Sequence, residues 1–309
     1  MLRNLLIRLS KSQWARRWIS SFPPSRRVAR RFVAGETLGD AIRTVQTLNE
    51  QGLLATLNHL GEHTDTADDA HRTSAEYIET LDEIDARDLD ANVSVKPTQM
   101  GLELGEDVCY EAIRTVAERA QQLGNFVRID MEDSGTVDTT LRVYERLREA
   151  DCDNVGVVIQ AYLFRSKGDV RRLAEQGANI RFCKGAYAEP PSVAFPNKRD
   201  VDENFQALLQ QMWTSDALDE GAYAAIATHD ERLIRWCEGY VRTHDIPKDR
   251  FEFQMLFGIR RDLQRELVDR GYRVRIYVSY GTEWYPFFMR RLAERPANIL
   301  FLTRQLFRS

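Results

Sequence analysis

Eight short apolar runs, rich in β-branched or aromatic residues, recur near 52–57, 91–95, 125–129, 155–159, 179–183, 223–227, 251–255 and 273–278, with stretches of helical spacing between them. Together they predict an α/β chain closed into a (β/α)8 barrel. Strands that alternate with helices pair in parallel through crossover connections. Eight such units are the number that closes a barrel, whereas an open doubly wound sheet ordinarily stops at about six. No G-x-G-x-x-G sequence follows any run, which argues against a dinucleotide-binding sheet.

Taken in order, the chain opens on a basic arm in which Leu5, Leu6, Ile7, Leu9, Trp14, Trp18, Ile19 and Phe22 are interleaved with Arg3, Arg8, Lys11, Arg16 and Arg17, an amphipathic helical pattern. Pro23 and Pro24 end it. From Ser25 to about Leu48, Val28, Phe32, Leu38, Ala41, Ile42, Val45 and Leu48 keep helical spacing. The strand runs follow, and Tyr110–Leu123, Thr139–Ala150, Val170–Gln176, Glu203–Met212, Glu231–Thr243 and Asp262–Arg270 read as connecting helices. The expected division is an N-terminal helical arm over 1–48 and a catalytic barrel over 49–309.

The composition, 43% hydrophobic and 29% charged, is that of a folded globular chain and excludes disorder. The net charge of -4 hides a split, because residues 1–35 hold nine Lys or Arg and no acid, which leaves the remainder at -13. The arm can therefore lie on an anionic membrane surface, or pack on the barrel with its arginines in solvent. A mitochondrial presequence shares this composition. The acidic body repels phosphates, so no nucleic-acid partner is expected. No apolar run is long enough to span a membrane or to serve as a secretory signal. Cys109, Cys152, Cys183 and Cys237 are scattered, without a C-x-x-C pair, so neither a disulfide framework nor a zinc site is expected and a reducing compartment is. The expected location is the cytoplasm, peripheral on the inner face of the membrane if the arm binds lipid, or the mitochondrial matrix in a eukaryote.

A barrel carries its chemistry at the carboxyl ends of its strands, so polar residues should follow each run. They do: Ser94-Val95-Lys96, Asp130 and Glu132, Gln160, Lys184-Gly185, Thr228-His229, Gln254 and Tyr277. Late in the chain, Arg290 and Arg291 are neighbours on a helix that begins near Tyr285, with Phe287 and Glu294 one turn to either side. Two guanidinium groups near a barrel mouth suit a carboxylate or a phosphate. In Arg181-Phe182-Cys183-Lys184-Gly185-Ala186-Tyr187, small residues after a strand permit a phosphate or flat ring to approach the backbone. His59, Glu62 and His63 have the spacing of a helical metal site, but they follow a strand and precede a polar stretch, so no metal is expected. Cys152 lies among acids that raise its pKa and is no nucleophile. From spacing alone, a cofactor-free lyase or aldolase with Lys96 or Lys184 as a Schiff base stays open, as does a membrane-surface adaptor.

These motifs in this order resemble the proline dehydrogenase family, both its stand-alone bacterial enzymes and the corresponding domain of bifunctional proline-utilisation flavoproteins. The residues that carry the resemblance are Ser94-Val-Lys96, Arg128-Ile-Asp130-Met-Glu132, Gln160-Ala-Tyr162, Arg181-x-x-Lys184-Gly-Ala-Tyr187, Ala227-Thr228-His229, Phe251-Glu-Phe-Gln254, Arg275-Ile-Tyr277 and Arg290-Arg291-x-x-Glu294, spanning roughly 33–304. The resemblance implies a distorted (β/α)8 barrel whose final helix lies over the mouth. It also implies bound FAD, with FMN left open, and oxidation of L-proline to Δ1-pyrroline-5-carboxylate with electrons passed to a membrane quinone. It sets the substrate carboxylate against Lys96, Arg290 and Arg291, the substrate ring against Tyr277, Leu256 and Phe287, and Glu294 beside the arginine pair. It places Asp130 and Arg181 nearest the reacting centre, and it lines the flavin with Met131, Val158, Gln160, Lys184, Gly185, Ala186, Tyr187, Thr228, His229 and Gln254. One departure is Phe287, where the family's pattern has tyrosine. Proline should still be preferred over 4-hydroxyproline, because an apolar wall leaves the extra hydroxyl unpaired.

Overall fold

The computed structural model describes residues 31–61 and 64–285. Eight parallel strands form one closed barrel in chain order: β1 Leu54–His59, β2 Ala91–Val95, β3 Val127–Ile129, β4 Val155–Gln160, β5 Asn179–Cys183, β6 Tyr223–Ala227, β7 Phe251–Leu256 and β8 Val274–Tyr280. The barrel closes where Thr56 pairs with Tyr277 and Asn58 with Ser279, between β1 and β8. Around it lie α1 Leu38–Asn49, α2 Ala67–Ala86, α3 Glu106–Gln122, α4 Val137–Glu149, α5 Ser166–Ala174, α6 Lys198–Met212, the short α7 Ser215–Asp219, α8 Glu231–Thr243 and α9 Arg261–Asp269. All eight predicted strands are present, each within a few residues of its apolar run. Residues 1–30 of the N-terminal arm and the double-arginine segment, with Phe287, Arg290, Arg291 and Glu294, lie outside the described residues, as do Glu62 and His63. Among the described residues no helix is long and apolar enough to cross a membrane.

Local sequence explains the boundaries. Thr37 opens α1 and Thr66 opens α2, each accepting the backbone N–H three residues on, while Asp40 and Asp69 reach back to the cap. Such reciprocal caps are worth about 1 kcal/mol each. Ala41, Ile42, Val45 and Leu48 of α1 bury one face in the same core as the strands, so this helix belongs to the barrel's packing. Helix α2, the longest among the described residues, is absent from the sequence reading. Its buried stripe includes Ser74 and Thr80, whose hydroxyls mask the apolar period while bonding Ala70 and Ala112 carbonyls, and the Tyr280 hydroxyl, respectively.

Strand register divides the barrel into two unlike faces. Leu57, Val93, Val127, Val157, Ile180, Ile226, Phe253 and Ile276 lie on the outer face under the helices, fully or almost fully buried. The alternate positions, which share the inner face, are Ser94, Arg128, Gly156, Arg181, Glu252, Gln254, Arg275 and Tyr277. Barrels of this kind are ordinarily filled with layers of branched aliphatic residues. Here the lumen is filled with charges and hydrogen bonds. Gly156 makes that possible: a Cβ there would fall 2.5 Å from Arg128 Nη1 and 2.5 Å from the Asn179 carbonyl oxygen. Gly156→Ala therefore loses about 1–3 kcal/mol through overpacking. Thermal unfolding checks this, and an unchanged Tm would remove the steric role.

Candidate active site at the carboxyl mouth of the barrel

The centre of the mouth is Asp130, one residue beyond β3. Its Oδ1 accepts hydrogen bonds from Ser94 Oγ at 2.7 Å and Arg181 Nη1 at 2.8 Å, and its Oδ2 accepts from Lys96 Nζ at 2.6 Å and the Tyr277 hydroxyl at 2.8 Å. Three strands, β2, β5 and β8, thus deliver four donors to one carboxylate. Asp130 and Arg181 are buried, at 7% and 5% exposure, so the charges meet in a low-dielectric setting. Burial alone would raise the Asp130 pKa, but Lys96 and Arg181 beside it and the hydrogen bonds it accepts hold it far below the ordinary carboxylate range. Burial would lower Lys96, yet Asp130 keeps it well above the ordinary lysine value. Tyr277 is pushed up by burial and by Asp130, and so keeps its proton. The Arg181 guanidinium also lies 5.2 Å from the centre of the Tyr277 ring.

Below this cluster a second one braces it. Arg181 Nε donates to Gln254 Oε1 at 2.6 Å, Gln254 Nε2 donates to Glu252 Oε1 at 2.5 Å, and Arg275 Nε donates to the same oxygen at 2.8 Å. Arg275 Nη1 ends the chain on the Ala55 carbonyl at 2.8 Å. A continuous polar path therefore runs from Lys96 at the mouth to the far part of the lumen.

The other predicted residues line the rim. Met131, Val158 and Gln160 are buried on the β3–β4 side. Gln160 Nε2 donates to the Glu132 carbonyl at 3.0 Å, while its buried Oε1 has no hydrogen-bond partner among the described residues. Glu132 itself accepts from the Thr98 N–H at 2.8 Å and the Thr98 hydroxyl at 2.9 Å. On the opposite side His229 Nε2 accepts from the Leu256 N–H at 2.9 Å, which joins the ends of β6 and β7 and fixes the ring's proton on Nδ1. Thr228 is buried beside it. Lys184 does not join the Asp130 cluster. It is ion-paired with Asp202 at 2.5 Å and Asp230 at 2.8 Å, and Lys198 contacts the same two acids. Gly185, with φ at +107°, has room only for hydrogen, since a Cβ would fall 2.3 Å from the Tyr162 ring. Ala186 and Tyr187 follow it on the exposed rim.

The Schiff-base alternative loses its footing. A Schiff-base lysine must be neutral to attack a carbonyl, whereas Lys96 is locked as a cation by Asp130 and Lys184 is held between two carboxylates. His59 Nδ1 lies 2.8 Å from a Glu76 carboxylate oxygen, while Glu62 and His63 lie outside the described residues. Sequence reading missed Asp202 and Asp230, and it quoted Ser94, Arg128, Glu252 and Arg275 only as parts of motifs. The signal for Glu252 was present in its i, i+2 relation to Gln254 on β7.

A closed (β/α)8 barrel with a buried cluster of charged residues at its carboxyl mouth has the arrangement of an enzyme's active site. A family profile described as proline dehydrogenase matches residues 41–304. The chain is 40% identical over 304 residues to Proline dehydrogenase 1 of Bacillus subtilis subsp. natto, covering 98% of each chain. It is 42% identical over 281 residues to Proline dehydrogenase of Deinococcus radiodurans, covering 90% of this chain and 89% of the other. Among solved structures, proline utilization A from Bdellovibrio bacteriovorus, inactivated by N-propargylglycine, superposes with a TM-score of 0.80 at 26% identity, over 87% of this chain and 33% of that one. The chain belongs to the proline dehydrogenase family, flavin-dependent oxidoreductases that act on a CH–NH donor. The residues fit a flavin. Its ring system carries one ring N–H donor between carbonyl acceptors, and the buried, partnerless Gln160 Oε1 is an acceptor of the kind that donor requires, beside the apolar Met131 and Val158.

Proposed function

We propose that this chain oxidises L-proline to Δ1-pyrroline-5-carboxylate with bound FAD and passes the electrons to a quinone. The observation that carries this reading is the Lys96–Asp130–Arg181–Tyr277 cluster at the mouth. Bound FAD supplies the acceptor for the hydride that leaves the substrate ring. Lys96 offers one charge to the substrate carboxylate, and Arg290 and Arg291 complete that site in this reading, with Glu294 holding the pair. Tyr277, Leu256 and Phe287 form the wall around the substrate ring. Asp130 is occupied by four donors and held ionised, so it orders the cations and takes no proton from the substrate. Arg181, fixed by Asp130 on one side and Gln254 on the other, keeps a positive charge at the reacting centre. Met131, Val158, Gln160, Lys184, Gly185, Ala186, Tyr187, Thr228, His229 and Gln254 line the flavin.

The arm within 1–48 meets the inner face of the membrane through its basic residues and brings a cytoplasmic barrel over 49–309 to its quinone. The first test is a visible spectrum of the purified protein before and after anaerobic addition of L-proline. Flavin bands that bleach are expected, and the mass of the acid-released cofactor separates FAD from FMN. A protein that stays colourless after flavin reconstitution would sink the reading.

A further inference from the structure

We propose that Arg128, which touches neither the mouth nor its ligands, sets the electrostatic potential of the site by leaving the barrel lumen with an uncompensated positive charge. This rests on the flavin reading above. Arg128 is 2% exposed. Its guanidinium donates to the Val157 carbonyl at 3.1 Å, to the Asn179 carbonyl at 2.6 Å and to the Asn179 side chain, and it forms no ion pair among the described residues. Its Nε has no partner at all among them. A buried guanidinium without a carboxylate is costly, and an aliphatic layer would fill the same space at no such penalty. The chain nevertheless cuts β4 back to Gly156 to admit it.

The charge inventory shows what Arg128 adds. Among the described residues within the strand barrel, Lys96, Arg128, Arg181 and Arg275 face only Asp130 and Glu252. Glu132, at the rim, is spent on Thr98 and reduces this excess without cancelling it. Glu252 is taken by Arg275 and Asp130 is shared by Lys96 and Arg181, so among the described residues Arg128 is the lumen cation with no ion pair of its own. Burial, with Arg181 and Arg275 nearby, pushes Arg128 down to about 9, which still leaves it charged at neutral pH. A lumen of this kind favours any ligand that gains negative charge. Two electrons and one proton convert the neutral oxidised flavin ring into a ring with one negative charge, so the excess favours the reduced form.

The test is a potentiometric titration of the flavin-loaded protein against a reference dye. Arg128→Met should lower the two-electron potential by at least the equivalent of a tenfold change in the reduction equilibrium, about 30 mV. Glu252→Gln, which removes a negative charge and keeps an acceptor for Gln254, should raise it, and Arg128→Lys should stay near wild type. A merely structural role would not give shifts of opposite sign. Flavin-loaded variants at the wild-type potential, or both displaced in one direction, would overturn the inference while leaving the flavin reading intact. A protein without flavin would instead overturn that reading. If one variant fails to fold, the other decides alone by its sign.

Discussion

Asp130→Ala lowers kcat/KM for proline at least about a hundredfold, equivalent to about 2.7 kcal/mol of transition-state stabilisation. The size follows from what Asp130 holds: one carboxylate orders donors from β2, β5 and β8, and with it gone Lys96 and Arg181 repel each other across an uncompensated gap. Charge-assisted hydrogen bonds of this kind are each worth about 1.5–3 kcal/mol. Asp130→Asn should rescue little, because the amide places a donor where Lys96 or Arg181 needs an acceptor. A pH profile separates this account from simple misfolding. In the wild type, Asp130 titrates far below neutral pH and Lys96 and Tyr277 far above it, so the cluster adds no inflection between about pH 6 and 9. In Asp130→Ala the burial of Lys96 loses its strongest opposing charge, so its pKa falls and an inflection from Lys96 moves toward lower pH. A variant within threefold of wild type, with an unchanged profile, would remove Asp130 from the centre of the site.

How much of this was legible in the sequence depended on which forces left a periodic trace. The eight strands were readable because their outer faces need continuous branched and aromatic residues under the helices, as Val155, Val157 and Ile159 do on β4. The residues at the strand ends were readable because the barrel's geometry dictates where to look. Helix α2 was not, since Ser74 and Thr80 replace aliphatic groups in its buried stripe and carry their own hydrogen-bond partners from α3 and β8. The lumen was also hidden: nothing local to Arg128, Glu252 or Arg275 says that residues far apart in sequence meet inside the barrel. Strand alternation puts Arg181 on one defined face of β5, but only closure of β8 on β1 turns such faces into one interior.

Glu252→Ala destabilises the protein by about 3–5 kcal/mol, the usual cost of removing one partner from a buried ion pair. Glu252 is 3% exposed, and its Oε1 accepts from both Arg275 and Gln254. Its loss leaves Arg275 without a counter-ion and frees Gln254, and through it Arg181, so stability and site geometry fall together. Denaturant unfolding gives the first quantity, and the kinetics of the folded fraction give the second. A cavity alone would also cost stability, and two observations distinguish the causes. Replacing both partners, Glu252→Leu with Arg275→Met, should recover much of the loss, because an apolar pair of similar volume pays no desolvation penalty. The pH dependence carries a sign as well. Burial would raise the Glu252 pKa, but Arg275 and the hydrogen bonds it accepts lower it below the ordinary value. The stability it contributes is therefore complete above the unfolded-state pKa of about 4.3 and is lost as the pH falls through the lower folded-state value. The difference between wild type and Glu252→Ala should accordingly be constant from about pH 6 upward and shrink on acidification. A difference that stays constant into acid would mark a cavity effect and remove the buried ion pair from the account.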